Sequence, residues 1–166
     1  MPSFDVNDLL LQDYTPAVRN LWKLSFPNIA GQQIPAFLAK TANRPSWTFD
    51  EWQIDYISQR RFGAAKVTFD PFECTLVESI DAIASKALLT WVNLIQEFTT
   101  GLRGYVSMYK KDVTVELLDG LKNSVQKWTL KGAWPQTARL GDMDYTDGTP
   151  LEITLTLRYD IPKLEY

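Results

Sequence analysis

The stretch LEITLTLRY, residues 151–159, decides the fold class of this chain. Its apolar residues alternate strictly with its polar ones: Leu151, Ile153, Leu155, Leu157 and Tyr159 against Glu152, Thr154, Thr156 and Arg158. A period of two places the first set on one face of a strand and the second set on the other. We therefore predict a half-buried strand of an antiparallel sheet.

Other stretches predict strands of the same kind. Residues 21–26, 35–42, 113–117 and 127–134 show this character. The last of them is predicted to carry Trp128, Leu130, Gly132 and Trp134 on one face. We expect it to end at Trp134-Pro135, because proline cannot donate a hydrogen bond to a central ladder.

Residues 46–61 fit a straight strand poorly. Trp52 and Tyr56 share one parity with Ile54, but Trp47 and Phe49 lie on the other, and one straight strand cannot bury both sets against one core. A turn or a bulge near Asp50-Glu51 would reconcile the two halves. Left in water, these side chains would form an apolar patch that soluble monomers avoid, so we expect a second subunit to cover them.

Residues 80–98 carry the strongest helical signal. Apolar residues recur in steps of one and three along this stretch: Ile80, Ile83, Ala84, Ala87, Leu88, Trp91, Leu94, Ile95 and Phe98. Ser79 is the predicted N-cap, and Gly101 is predicted to stop the helix. The pattern indicates one amphipathic helix that lies on a sheet.

The predicted fold is therefore mainly β with one long α-helix, an antiparallel β-sandwich or barrel with the helix packed on the sheet. The 166 residues suit a single domain, 1–166, without low-complexity segments. Residues 1–20 are an N-terminal arm of uncertain structure, with a short helical turn at residues 8–13 as one interpretation. Residues 161–166 are taken as a C-terminal tail.

The composition argues against several common catalytic, metal-binding and nucleic-acid-binding sites. The chain has no histidine, and so lacks the commonest general base and metal ligand. Its one cysteine, Cys74, lies in an alternating stretch, which predicts a buried structural thiol. A net charge of −3 gives no basic nucleic-acid-binding face. No apolar run approaches the ~20 residues that span a bilayer, so no membrane anchor is expected.

The loop RLGDMDYTDGTP, residues 139–150, is the best candidate for a chemical site. Asp142, Asp144 and Asp147 resemble a calcium loop, but Asp147 stands where the turn glycine belongs and Ile153 where the bidentate glutamate belongs. A hydrolase pair of Asp142 and Asp144 needs one raised pKa, which exposed loop acids rarely acquire. We predict a solvated joint between strands, with no metal, no cofactor and no catalytic residue.

Three stretches in this order resemble the tail tube protein family of contractile-tailed bacteriophages. ISQRRFG, residues 57–63, leading to TFDPF, residues 68–72, is similar to the family's basic, glycine-containing segment before a T-F-[DE]-x-aromatic strand. The long helix follows. LKGAWP, residues 130–135, then resembles the family's K-G-x-W-P, with an acidic loop and a last alternating strand after it. Together the stretches span residues 21–160.

The resemblance implies a structural virion protein and no enzyme. Hexameric rings would stack into a hollow tube inside a contractile sheath, and the tube would conduct genomic DNA. The implied partners are further copies of the chain, the sheath protein outside, and the tape-measure protein and DNA in the lumen, without sequence-specific binding. A baseplate and a tail terminator would bind the two ends. The implied location is the virion, after assembly in the host cytoplasm.

Two sets of residues are predicted to serve this assembly. An arm, residues 43–62, is expected to project as a hairpin and to contact the next ring, as the region before the T-F-[DE] strand does in the family. Its contact residues are Trp47, Phe49, Trp52, Tyr56, Arg60 and Arg61. The lumen-facing residues are expected to be Glu152, Thr154, Thr156 and Arg158, the polar face of the last strand.

Two alternatives stay open. The inner tube of a tailocin or another contractile injection system would share this architecture but carry protein cargo or none. Neighbouring capsid and terminase genes would argue for a phage. A carbohydrate-binding β-sandwich module is the alternative from a different class; it would be a monomer that presents Trp and Tyr side chains to sugar rings.

Overall fold

A computed structural model describes residues 16–166, so the expected turn at residues 8–13 lies outside the described part. The strands are β1 (Trp22–Ser25), β2 (Ala39–Ala42), β3 (Trp47–Asp55), β4 (Arg60–Phe69), β5 (Phe72–Val77), β6 (Lys111–Leu118), β7 (Ser124–Arg139), β8 (Glu152–Arg158) and β9 (Ile161–Glu165). The helices are α1 (Ile83–Ile95) and the short α2 (Val106–Tyr109). A 3₁₀ turn, Ala36–Leu38, replaces the first half of the strand predicted over residues 35–42.

The strands form an antiparallel sheet of seven and a separate two-stranded hairpin. The sheet runs β1-β6-β7-β8-β5-β2, and β9 pairs with β7. The first half of β7 pairs with β6 and β9, whereas its second half pairs with β8. Two four-stranded halves, β1-β6-β7-β9 and β7-β8-β5-β2, therefore share one long strand. The predicted antiparallel β fold with one main helix is confirmed, and the sheet is not closed.

One core joins both halves of the sheet and the helix. The alternation in β8 is confirmed, since Ile153, Leu155 and Leu157 are fully buried. The helix contributes Ala84, Ala87, Leu88 and Trp91 to the same core. Further large members come from β1, β5, β6 and β7, and from the segment between β1 and β2: Leu24, Phe72, Leu76, Val113, Leu130, Ile29 and Ile34. This arrangement leaves the polar face of β8 on the outside.

β7 changes face at Gly132, which the alternation in the sequence does not reveal. Leu130 is buried, but the next buried residues are Ala133 and Pro135, so the predicted single face through Gly132 and Trp134 is wrong. The register places one extra β7 residue opposite β6 at this point. Gly132 has φ +66, a conformation that glycine adopts without steric cost, and it forms a bulge that bends the strand.

The predicted strand end at Trp134-Pro135 is also wrong, because β7 continues to Arg139. Pro135 pairs with Leu157 of β8. Among the described residues, this half of β7 pairs with β8 alone, so it is an edge strand. Proline is tolerated at an edge, where its missing N–H breaks no ladder.

The helix begins later than predicted. Ile80 is fully exposed, and Ala82 rather than Ser79 occupies the N-cap, in a left-handed conformation with φ +53. The carboxylate of Glu78 accepts a hydrogen bond from the amide of Ser85 at 3.1 Å. A carboxylate at this end satisfies a free amide and complements the helix dipole.

The helix also ends earlier than predicted. Gln96 is its extended C-cap, so Phe98 lies beyond it and is exposed. Gly101 has φ +71 and closes the following turn, where its amide donates to the carbonyl of Glu97 at 2.8 Å. At the chain's end, residues 161–165 of the expected tail form β9, which pairs with β7 from Ile161↔Lys131 to Glu165↔Lys127.

Candidate assembly surface

The hairpin β3–β4 stands apart from the main sheet. Its ladder extends from Trp47↔Phe69 at the base to Asp55↔Arg60 near the tip. Every residue of β3 is exposed, so the hairpin has no core of its own. The predicted arm, residues 43–62, covers β3 and only the beginning of β4.

The hairpin contains one irregularity, opposite Asp50. The pair Phe49↔Val67 is followed by Glu51↔Ala64, so one residue of β3 faces two residues of β4, Ala65 and Lys66. A bulge near Asp50-Glu51 was expected, and its position is confirmed. The extra residue belongs to β4, however, so β3 keeps its alternation along its whole length.

Because β3 keeps its alternation, its aromatic residues lie on two opposite faces. The base face carries Trp47 and Phe49, and the ring of Trp47 packs 6.2 Å from that of Trp128 in β7. The paired Phe69 packs 6.1 Å from Tyr159. The base face therefore turns towards the subunit's own body.

The tip face is the opposite face beyond the bulge and carries Trp52, Ile54 and Tyr56. Trp52 and Ile54 are 46% exposed and Tyr56 is 58% exposed, so each residue is only partly covered within the subunit. The Tyr56 ring is contacted from within the hairpin, where the guanidinium of Arg61 lies 5.9 Å from the ring centre. The neighbouring Arg60 forms a salt bridge with Asp55 at 3.1 Å, also within the hairpin. The six predicted contact residues thus divide between the two faces.

The indole ring of Trp52 packs directly over Gly63 on the tip face. The two residues are cross-strand partners, and a Cβ atom at Gly63 would overlap the indole ring. Any side chain at this position must therefore displace the ring. Trp52 covers the glycine and fills the space that a side chain would take.

We expect Gly63→Val to disrupt the tip face without unfolding the subunit. The valine displaces the Trp52 ring, which lies on an exposed hairpin outside the core. Circular dichroism should show an intact fold, while electron microscopy should show loss of ordered assemblies. The matched control is Ala64→Val, one residue further along and on the other face. Normal assemblies from Gly63→Val would contradict the role of this face.

The polar face of β8 presents small hydroxyl groups and paired charges. Thr154 and Thr156 lie beside Thr75 of β5 and Thr137 of β7. Glu152 forms a salt bridge with Lys40. The guanidinium of Arg158 donates to the carbonyl of Phe69 at 3.1 Å, which ties β8 to the hairpin base.

The aspartates of the loop between β7 and β8 stabilise turns. Asp144 accepts hydrogen bonds from the amide and the hydroxyl of Thr146, at 2.9 and 2.8 Å, and Asp147 accepts from the amide of Thr149 at 2.9 Å. These bonds lower the pKa of Asp144 and that of Asp147. General acid catalysis requires the opposite shift. Within residues 16–166, no cluster of three or more acidic or cysteine side chains is arranged to hold a metal.

We expect calcium to give no heat of binding in a calorimetric titration at physiological salt. The carboxylates of Asp144 and Asp147 already satisfy turn amides, and neither the sixth-position glycine nor the twelfth-position glutamate of a calcium loop is present. Asp142→Asn is the control, since it should leave the trace unchanged. Micromolar affinity for calcium would contradict this interpretation.

Neither the cysteine nor the helices indicate a further chemical or membrane-spanning role in residues 16–166. Cys74 is buried in β5, and burial raises the pKa of its thiol to about 12, so it carries almost no thiolate at neutral pH. Across residues 16–166, the helices are too short and too polar to traverse a bilayer.

Comparison of the sequence with known proteins identifies one family. The family model described as "T4-like virus tail tube protein gp19" matches residues 66–161, more than half of the chain. The tail tube protein of Serratia phage KSP90 is 27% identical over 153 residues, which cover 82% of this chain and 80% of that protein.

Solved structures with a similar fold come from contractile injection systems. A chain of the sheath-tube complex of the extracellular contractile injection system PVC in its extended state superposes with a TM-score of 0.71 at 15% identity, covering 98% of this chain and 99% of that one. A chain of the anti-feeding prophage baseplate gives a TM-score of 0.70 at 20% identity, covering 92% and 97%. At these identities the similarity concerns the fold.

Proposed function

This chain belongs to the T4-like virus tail tube protein gp19 family, whose role is structural, and from this membership we propose that six copies close into a ring and that rings stack into a hollow tube. The tube lies inside a contractile sheath, with a baseplate at one end and a terminator at the other. The tape-measure protein and then the genomic DNA occupy its lumen. The chain acts by shape and contact, without a catalytic residue.

The tip face of the hairpin is the observation that carries this proposal. Trp52, Ile54 and Tyr56 turn away from the subunit that the base face contacts. Trp and Tyr are enriched at interfaces, where one large rigid side chain buries much area. A hairpin that reaches to the next ring places this face against a second subunit, and Arg61 beside Tyr56 adds a charge that sets orientation.

Unpaired sheet edges support the closure of a ring. β1 and β2 end the path of the main sheet, and among the described residues neither has a strand on its outer side. The unpaired N–H and C=O groups of an exposed edge can bind another chain, and in a closed ring each edge is covered by a neighbouring subunit.

The polar face of β8 is our candidate for the lumen wall, with Glu152, Thr154, Thr156 and Arg158 as lining residues. The salt bridge between Glu152 and Lys40 balances charge on this face. Each phosphate that a lysine or arginine neutralises adds affinity for DNA, so a near-neutral wall lets DNA pass. A reconstructed tube with a strongly basic lumen would contradict this assignment.

The tube of a contractile injection system is the second candidate, supported by the similar fold of the PVC and anti-feeding prophage chains. Both candidates assign the same contacts to this chain and differ in what the lumen carries. Genes for a capsid and a terminase beside this one would support the phage.

Sedimentation velocity of the purified protein tests ring formation. We expect species larger than a monomer at micromolar concentration, because tip faces and sheet edges are both available for association. A single monomeric species at every concentration would contradict the proposal. Ile54→Lys, which places a charge on the tip face, should yield unstacked rings, whereas Gln53→Lys on the opposite face should assemble normally.

A further inference from the structure

The two halves of the main sheet meet at one point of β7, the bulge at Gly132. β7 pairs with β6 and β9 up to Ala133 and with β8 from Trp134 onwards. β1 is the outer strand of the first half, and β2 is the outer strand of the second. Because a bulge bends its strand, the bend of β7 sets the angle between the two halves and the relative position of the β1 and β2 edges.

Two aspartates hold the backbone of β7 at the bulge. The carboxylate of Asp112 in β6 accepts a hydrogen bond from the amide of Gly132 at 3.1 Å. The amide of Asp160, in the link between β8 and β9, donates to the carbonyl of Lys131 at 2.9 Å. The carboxylate of Asp160 lies over Gly132, where a Cβ atom would overlap it. The bend is therefore held both from β6 and from the link between β8 and β9.

An ion pair fixes the second of these aspartates. The ammonium group of Lys110 donates to both carboxylate oxygens of Asp160, at 2.8 and 2.7 Å. The Lys110 side chain is 28% exposed, whereas the basic side chains of the other salt bridges within residues 16–166 are 52–67% exposed. Water and salt screen a partly covered pair less than an exposed one, so this pair restrains Asp160 more firmly than a surface pair would.

The residue before Lys110 connects the bulge to the core. The carbonyl of Tyr109 accepts a hydrogen bond from the indole of the buried Trp91 at 2.6 Å. The Tyr109 ring packs edge-on against Trp134, two residues after Gly132, with 6.4 Å between the ring centres. Hydrogen bonds have preferred directions, whereas apolar burial is non-directional. The polar contacts at the bulge therefore define an angle that apolar burial alone leaves undefined.

We propose that Lys110, Asp112 and Asp160 form a clamp that fixes the bend of β7 at Gly132. A polar network with satisfied members makes its surroundings rigid, and this clamp lies within one subunit and does not depend on assembly. Its consequence for the ring rests on the proposed function. A head-to-tail contact closes into a ring only when every subunit contributes the same rotation. Because the bend positions the β1 and β2 edges, the clamp makes that rotation uniform.

Spin labels at the two ends of β7 measure the bend. Val125→Cys and Arg139→Cys place labels at exposed positions before and after the bulge. The native Cys74 is buried and the pKa of its thiol is raised to about 12, so it does not react with the label. Labelled protein is diluted with unlabelled protein, so only distances within one subunit contribute to the double electron–electron resonance signal.

The clamp variant and its control remove the same number of charges. The clamp variant carries Lys110→Ala, Asp112→Ala and Asp160→Ala. The control removes the exposed ion pair of β9 and one exposed loop carboxylate, by Lys163→Ala, Glu165→Ala and Asp142→Ala. Circular dichroism checks that each variant is folded. Lys110→Met with Asp160→Asn, which nearly preserves side-chain volume, replaces the clamp variant if alanine prevents folding.

We expect the distance distribution of the clamp variant to be about twofold broader than that of the unmodified sequence, and that of the control to be unchanged. In electron micrographs of unlabelled protein, only the clamp variant should form rings of unequal diameter or open assemblies. An equally narrow distribution in the clamp variant would overturn the proposal, whatever assemblies form. A broad distribution together with rings of one diameter would overturn its consequence for the ring. If the unmodified protein forms no rings, the proposed function fails, while the distance distributions still decide the clamp.

Discussion

Replacement of residues 50–66 by an Asn-Gly turn is expected to leave a folded subunit that no longer stacks into tubes. The structure sets these limits. The pairs from Trp47↔Phe69 to Phe49↔Val67 stay, because Trp47 packs on Trp128 and Phe69 on Tyr159. Asn-Gly suits a two-residue hairpin. Only the bulge and the tip face are removed, and the core has no member in them.

The choice of limits matters for this experiment. Removing residues 43–62 instead would delete Asn43, whose side chain accepts a hydrogen bond from the Glu73 amide at 2.9 Å, and would leave the rest of β4 unpaired. Such a variant tests folding as much as stacking. The matched control replaces residues 142–149 of the exposed acidic loop by a short Gly/Ser linker and should still form tubes. Long tubes from the tip variant in electron micrographs would show that another element stacks the rings.

Trp91→Ala is expected to lower the free energy of unfolding by about 3–5 kcal/mol, as for other large core aromatics cut to alanine. Trp91 is fully buried at the centre of the helix stripe. Its indole N–H donates to the carbonyl of Tyr109 at 2.6 Å, which orients α2 relative to α1. The substitution leaves a cavity and removes the partner of that carbonyl. Against a total of about 5–15 kcal/mol for a typical domain, such a loss leaves little stability.

Urea unfolding followed by circular dichroism measures this loss. Trp52→Ala serves as the control, since it removes the same side chain from the exposed tip face, and we expect a change within about 0.5 kcal/mol. The two variants should also differ in assembly: Trp52→Ala gives stable subunits that stack poorly. A loss below about 1 kcal/mol for Trp91→Ala would mean that the helix is not anchored through this residue.

The regular strands could be predicted from the sequence because burial imposes a period of two. In β8 and β6 one face meets the core, so the alternation at Ile153–Leu157 and at Val113–Val115 records the structure directly. The same logic expected a bulge near Asp50-Glu51, and the bulge lies there, but it belongs to β4; the two parities in β3 reflect aromatic residues on two opposite faces.

The errors occur where a residue's partner decides its conformation. Pro135 reads as the end of a strand, but it is tolerated because its half of β7 is an edge. Gly132 reads as one more residue of an alternation, yet its positive φ shifts the face of every residue after it. Glu78 does not belong to the apolar helical pattern, so the sequence does not single it out. Its carboxylate nevertheless accepts a hydrogen bond from the amide of Ser85 in the first turn of α1.

For the assembly surface, the sequence identified the aromatic residues but not their faces. Trp47, Phe49, Trp52 and Tyr56 could be recognised as residues that one core cannot bury together. Whether the extra residue belongs to β3 or β4 decides which of them turn away from the subunit, and only the register Phe49↔Val67 followed by Glu51↔Ala64 provides that.

A cryo-EM reconstruction of tubes formed by the unmodified protein tests the central claim most directly. We predict that Trp52, Ile54 and Tyr56 are buried against a subunit of the next ring, while Trp47 keeps its contact with Trp128. A reconstruction in which the tip face lies in solvent, or folds back on its own ring, would contradict it.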